Sequence, residues 1–544
     1  MKLRVAAAVA FCTLGLGTAT WSIAAPEGTL IHAAENKRHD EALKILASGA
    51  DARAKDVDGT TALHWAAHYG DAELVDKLIR AGAEVNVVND YGSSPMMEAA
   101  TIGSTEVLKL LLKAGADVES TNGEGQTALM AVARTGNVEA AELLLKKGAK
   151  VDSVEQWGGQ TALHWANAQS QPEMVKLLIK HGANVNARAV VRDWQRRVTA
   201  EGRPKNMNRG GFTPLLYAAR EGCIECGKAL LKGKADINLP DPDGLTPLNL
   251  ALTNMRFDFA AMLINAGADV NKWDFYGRTP LYSAVDLNTL PRGGRPDLPS
   301  TDQLTGYDIA QMLLERGANP NIQLKLRPPY RNGVFDRGGD TVISTGATPL
   351  LVAAKAGDAK SVALLLKYKA IVDLPNAQGV TPLMVAAGVG HGANPTRGRY
   401  KTDAEAAECL RLLQQAGGNV NAKDERGMTA LHGAANLGWD ETIKQLVKDG
   451  AELEATEANG LTPIDYANGK QPRGFLDPEH TKKESSVALL TDYIVKATGR
   501  APKEFTGVIN RPTRGTGGAG AAAGRGGGEQ QAQAGGQQQG AGAQ

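Results

Sequence analysis

A six-residue phrase returns along almost the whole chain, and no other feature restricts the possible folds as strongly. It is read at Thr61-Ala-Leu-His-Trp-Ala, Ser94-Pro-Met-Met-Glu-Ala, Thr127-Ala-Leu-Met, Thr161-Ala-Leu-His-Trp-Ala and Thr213-Pro-Leu-Leu-Tyr-Ala. It continues at Thr246-Pro-Leu, Thr279-Pro-Leu, Thr348-Pro-Leu, Thr381-Pro-Leu, Thr429-Ala-Leu-His and Thr462-Pro-Ile, and the commonest step between copies is 33 residues. An apolar stretch such as Val107-Leu-Lys-Leu-Leu-Leu follows each copy, and then Gly-Ala-Asp-Val-Asn or a close variant, as at Gly182 and Gly267. Thr or Ser before Pro or Ala fits a helix N-cap with Pro in the first helical position, and the Gly-Ala-Asp phrase fits a helix stop followed by a turn. Each unit therefore reads as turn, helix, turn, helix. One such unit cannot bury its own apolar face, so neighbours must stack, and about twelve units at roughly 10 Å per helix layer give a curved rod on the order of 100 Å long.

The period and the phrase resemble the ankyrin repeat, over roughly residues 28 to 497. The resemblance implies an all-α solenoid of helix-turn-helix units joined by β-turn fingers, working as a scaffold that holds a protein partner. The first unit, near Thr29 to Asp56, carries Glu35 where later units have Ala, as a capping repeat does. Composition agrees with stacked small units: Gly is 63 of 544 residues and aromatics only 5%. Such units are packed by Ala, Leu and Gly rather than by large rings.

Departures from the period locate extra chain. The steps from Thr161 to Thr213, Thr279 to Thr348 and Thr381 to Thr429 are 52, 69 and 48 residues. Insertions near 187–210 and 322–346 fall in the turn between units, the finger of the resembled fold. Those near 287–306 and 389–402 fall between the two helices of a unit. Loops outside a stack carry function more often than the scaffold does. The first finger insertion holds Arg188, Arg192, Trp194, Arg196, Arg197, Arg203, Lys205 and Arg209, and the second Lys325, Arg327, Tyr330, Arg331, Phe335 and Arg337. The stretch 389–402 adds Arg397, Arg399 and Lys401. Arg with aromatics is the composition of binding hot spots, and solvated loops would share the charge without the role. By register with the resembled family, the partner-facing positions are His68, Tyr69, Tyr91, Trp157, Phe212, Arg220, Trp273, Phe275, Tyr276 and Arg278. The alternative for each ring is packing on the next finger.

Residues 1–25 read as an export signal: Lys2 and Arg4, an apolar run from Val5 to Leu16, and the small-x-small site Ser22-Ile23-Ala24. The solenoid is then expected over 26–498, in the periplasm or secreted. The Gly/Ala/Gln-rich segment 499–544 should be a disordered tail, a flexible extension from about 507. No other stretch approaches the ~18 apolar residues of a membrane span. With Lys plus Arg at 60 against Asp plus Glu at 59, no chain-wide basic field exists to draw nucleic acid. A monomer holding a protein partner is expected, without cofactor, metal or nucleic acid.

Catalytic signatures fail. Gly222-Cys-Ile-Glu-Cys-Gly227-Lys228 matches seven places of a phosphate-binding loop, but Ala229 replaces its Ser or Thr, and the segment opens a helix without a preceding strand. His64 and His68 have metal-ligand spacing on one helix but no third ligand nearby. Cys223 and Cys226 leave two readings open. A C-x-x-C at a helix start lowers a thiol pKa and supports redox exchange. Yet Cys226 stands where other units place Val107 or Val175, as Cys409 does in its own unit, and free Cys packs as a small apolar residue. Two functions of different class follow: a protein-binding scaffold, or a redox-active or enzymatic factor using the cysteine pair or the insertions as a lid.

Overall fold

The computed structural model describes residues 28–193, 197–198, 205–206, 209–288, 301–326, 342–390, 401–470 and 481–507. The expected export signal, the middle of every insertion and the extension beyond 507 lie outside them. The described residues form 24 helices in twelve successive pairs. Each pair joins a short first helix, such as Pro214–Glu221, to a second of usually nine residues, such as Ile224–Lys232. First helices pack on first helices of adjoining units and second on second. The result is two parallel rows sharing one apolar core that runs from Leu30 to Ile494. This is the solenoid expected from the period. The sole strands among the described residues are two short ones in the first finger insertion, Arg197–Val198 paired antiparallel with Lys205–Asn206.

The recurring phrase does what its residue types dictate. The Leu216 N–H donates to Thr213 Oγ1 at 3.3 Å, satisfying a donor that the first turn leaves over, and Pro214 follows in the position where a missing N–H costs nothing. In three units the fourth residue of the phrase is His, and it is buried: His64, His164 and His432. At His164 the Thr161 N–H donates to ring Nδ1 at 3.0 Å, and Nε2 donates to the Phe212 carbonyl at 3.1 Å. His64 and His432 repeat the arrangement toward Ser93 and Leu461. Both nitrogens are committed in the neutral tautomer, so His64 ties its helix to the next finger. His68 bonds Glu98 instead, at 2.8 Å.

The Asn that closes the Gly-Ala-Asp-Val-Asn phrase links unit to unit. Asn86 Oδ1 accepts from the Asp117 N–H at 2.8 Å, Asn238 from Asp269 at 2.9 Å, and Asn421 from Glu452 at 2.8 Å. Two members of this spine step over the finger insertions, Asn186 to Asp236 and Asn321 to Ile371, both at 2.8 Å. The stack therefore keeps its register across both insertions.

The glycine after each second helix takes a left-handed backbone, as Gly115 does at φ 90° with nothing within 4 Å of a notional Cβ. Lys234 and Lys369 hold the same place at φ 68° and 67°. A side chain there costs about 1–2 kcal/mol in the folded state, partly offset by the entropy that Gly adds to the unfolded chain. Lys234→Gly and Lys369→Gly are each expected to raise stability by ~0.5–1 kcal/mol in urea unfolding.

The chain between the helices of a unit is enlarged three times, twice as expected, between Pro280–Asn288 and Gly306–Glu315 and between Pro382–Ala386 and Asp403–Gln415. The third, between Pro463–Ala467 and Glu484–Thr498, has no counterpart in the phrase spacing because no further copy of the phrase follows. The returning chain caps a neighbour. Asp302 accepts from the Phe257 N–H at 2.6 Å, and Asp403 from Glu441 and Thr442 at 2.9 and 3.0 Å. Beyond Gly499, Arg500 pairs with Glu454 and Phe505 packs on the core, so the first residues of the 499–544 extension lie against the last unit.

Candidate partner-binding surface

Each finger is shaped by a carboxylate or Asn at its base. Glu155, buried, accepts from the N–H groups of Trp157, Gly158 and Gln160 at 2.7, 2.8 and 2.9 Å. Asp274 accepts from Tyr276 and Arg278 at 3.0 and 2.9 Å, and Asp241, Asp424 and Asn376 repeat the pattern. Because the acceptor turns inward, the residue before the finger's Gly is pushed out. Neighbouring fingers are joined by single backbone bonds: Asp90 N–H to Asp58 O at 2.8 Å, Gln156 to Glu124 at 3.0 Å, Phe275 to Asp243 at 2.9 Å and Glu425 to Gln378 at 3.0 Å. The finger tips thus form a stacked edge of fixed spacing.

On that edge Tyr91 is 68% and Trp157 65% exposed. Trp273 and Phe275 are exposed farther along, with the Lys325 ammonium 3.1 Å from the Trp273 ring centre and Tyr276 edge-on to Phe275 at 5.3 Å. Tyr69 lies stacked 5.9 Å from Trp65 under Lys37, on the first-helix side. Arg220 reaches over Tyr217 at 4.9 Å and bonds Glu221 at 2.7 Å.

Three expected positions are corrected. Phe212 is buried, closing a small apolar cluster with Leu216, Tyr217 and Leu250, because the insertion's return folds it beneath the finger. Arg278 is committed to the buried Asp274 through a 2.7 Å Nε bond. Lys401, read with the exposed basic residues of 389–402, is buried. Its Nζ donates to Ala354 O, Val385 O and Ala386 O at 3.3, 2.7 and 2.8 Å, bridging the C-terminal ends of two first helices, and burial pushes its amine down to about 7. Trp194, Arg196, Tyr330 and Arg331 lie outside the described residues, as does the side chain of Arg197.

The two finger insertions have equivalent necks. Arg188 Nη1 donates to Gly211 O and Pro240 O, both at 2.9 Å, and Gln323 Nε2 donates to the equivalent Gly346 O and Pro375 O at 2.9 and 2.8 Å. Arg188 is therefore a clasp rather than a free cation. Val190 N–H bonds Gly158 O at 2.7 Å, continuing the finger ladder into the insertion.

The cysteine pair departs from the packing expectation. Cys223 and Cys226 are joined in a disulfide with Cα atoms 5.2 Å apart. Cys226 is nonetheless fully buried where other units place an aliphatic. Cys409 is a buried free thiol whose pKa burial raises to about 12. Among the described residues no group of three His, Cys, Asp or Glu stands together as a metal site, and no helix is long and apolar enough to cross a membrane.

The profile of the family described as "Ankyrin repeats (3 copies)" matches residues 30–122, 103–189, 215–324, 304–393 and 401–472. Human ankyrin repeat and SOCS box protein 16 is 31% identical over 280 residues, 52% of this chain and 51% of that protein. Mouse ankyrin repeat domain-containing protein 63 is 35% identical over 124 residues, 22% of this chain and 29% of that one. The chain spans about half or less of the length of the curated relatives it matches. The crystal structure of the human ASB11 ankyrin repeat domain aligns over 43% of this chain and 96% of that one, at 24% identity and a TM-score of 0.36. Matched over most of its length by that profile and built throughout from its helix pairs, the chain belongs to the ankyrin-repeat family.

Proposed function

We propose that this chain is an exported, non-enzymatic scaffold, periplasmic or secreted, that holds a protein partner along its finger edge and finger insertions. Ankyrin repeats generally serve protein–protein interaction. The observation that carries the reading is the pair Tyr91 and Trp157, large rings widely exposed on tips whose shape is set by inward carboxylate or Asn acceptors. Rigid, exposed aromatics on a spaced edge are suited to be interface anchors, since little freedom is lost when they are covered. The neck of the first insertion continues the same edge through the Val190 N–H bond to Gly158 O, and the inserted sequences are rich in Arg.

The test separates edge from stack. The double variant Tyr91→Ala, Trp157→Ala is expected to keep its melting temperature within about 2 °C and to lose partner affinity by ~2–4 kcal/mol in titration calorimetry. Removing 194–208, which spares the Arg188 neck, should act in the same direction. Unchanged affinity in both variants would discard the finger edge. A loss of fold would show that the tips belong to the stack.

A further inference from the structure

The second helices of six units are capped by oxygen: the Leu74 N–H donates to Asp71 at 3.0 Å, Val107 to Ser104 at 3.5 Å, Ala140 to Asn137 at 3.1 Å, Ser361 to Asp358 at 3.1 Å, and Asp308 and Glu405 to Thr305 and Thr402 at 3.3 Å. In Ile224–Lys232 a sulfur takes that place: Cys223 Sγ accepts from the Cys226 N–H at 3.3 Å while bonded to Cys226 Sγ. The two cysteines differ in access. Cys223 is half-buried at the helix mouth, whereas Cys226 is 0% exposed in the core beside Gly227, which Phe259 and Met262 overlie. A fixed cation adjoins the cap. Arg256 lies across Gly222, its Nε 3.2 Å from where a Cβ would stand, and is held there by a 3.3 Å bond to Arg220 O. Of the nearby carboxylates, Glu225 pairs with Lys228 at 2.8 Å, while Asp302, which accepts from the Phe257 N–H, and Asp258 beside it share the field of Arg256.

We infer that Cys223–Cys226 is a thiol-exchange site, with Cys223 the sulfur that exchanges with an external thiol and Cys226 the buried leaving group. An incoming thiolate attacks Cys223 Sγ. The Cys223–Cys226 bond breaks with its electron pair on Cys226 Sγ, which takes up a proton, and a mixed disulfide remains on Cys223. A second thiolate of the same dithiol donor attacks the donor's own sulfur. The donor leaves as a disulfide, and Cys223 is released as a thiolate in the position where a capping carboxylate sits elsewhere. Two electrons pass from donor to protein, and the reverse sequence reoxidises it. The helix N-terminus and the Arg256 guanidinium both favour that thiolate over the thiol. Access selects Cys223 as the sulfur attacked. The inference does not depend on the finger edge being a binding surface.

The test uses the full chain. In Cys226→Ser, oxidised glutathione is expected to add once, on Cys223, and the pH midpoint of iodoacetamide alkylation to fall at least one unit below the ~8.5 of an ordinary thiol. Arg256→Gln in that background should move the midpoint back toward that value, and Arg256→Lys should largely restore it. In Cys223→Ser, Cys226 should stay unmodified until urea is added. The wild-type protein covers the case in which either variant misfolds: dithiothreitol should add two hydrogens reversibly, with an unchanged circular dichroism spectrum. An ordinary midpoint, equal reactivity of Cys226, or resistance of the wild-type disulfide to reduction until the protein unfolds would overturn the inference.

Discussion

Lys401→Ala is expected to lower stability by ~3–5 kcal/mol, the largest effect of any single side-chain change considered. Below about pH 7, where the amine is protonated, its three donors go to Ala354 O, Val385 O and Ala386 O, the carbonyls that two first helices leave over at their ends. Removing it strands these acceptors in a dry site, at a cost of about 1–3 kcal/mol for a buried polar group left without a partner, and also opens a cavity beside Trp439, whose ring centre is 5.3 Å from Nζ. Lys401→Met fills the space but leaves the carbonyls, so its loss should be smaller yet clear. Urea unfolding followed by circular dichroism checks both. A loss under about 1 kcal/mol for the alanine variant would mean that water or a neighbouring donor replaces the ammonium.

Acid should loosen the stack through its buried histidines. Burial pushes His164 down to about 4 and lowers His64 and His432 as well. The folded ring of His164 stays neutral until about pH 4, whereas the unfolded one takes a proton near 6.5, so between those values the unfolded state binds more protons. The contribution is complete above about 6.5 and is lost on acidification at about 1.4 kcal/mol per pH unit, reaching roughly 3 kcal/mol at pH 4 for His164 alone. His64 and His432 act with the same sign. His39 acts oppositely: its bond to Asp71 raises its pKa, so its contribution is present below about 6.5 and fades as pH rises through the raised value. Unfolding at pH 7, 5.5 and 4.5 should show falling stability, with a shallower fall in His164→Gln. A flat profile would contradict the neutral-tautomer account.

The fold was legible because the stack repeats its instructions. Thr213 before Pro214 sets a helix start wherever the phrase occurs, and the closing Asn186 or Asn321 stands in the same place in each unit that carries it, so position alone locates both. What the spacing hides is the use made of residues that occur once. Lys401 sits among Arg397 and Arg399 and shares their charge, and only the three-dimensional return of the chain puts it under two helix ends. Arg188 and Gln323 differ in type, so their equal roles at the insertion necks are visible only as geometry. Phe212 stands just after an insertion that breaks the period, so its register does not show that it packs against Leu216, Tyr217 and Leu250. The exposure of Tyr91 and Trp157, by contrast, is legible because each precedes a finger Gly at the regular period.

Site-specific photo-crosslinking in the producing cell tests the central claim most directly. With p-benzoylphenylalanine at position 91 or 157, discrete adducts with the same partner are expected from both finger positions. The same probe at Lys109 or Lys444, on second helices of the stack, should give none. Adducts of equal yield at the helix positions, or none at either finger position, would contradict the assignment of the finger edge as the binding surface.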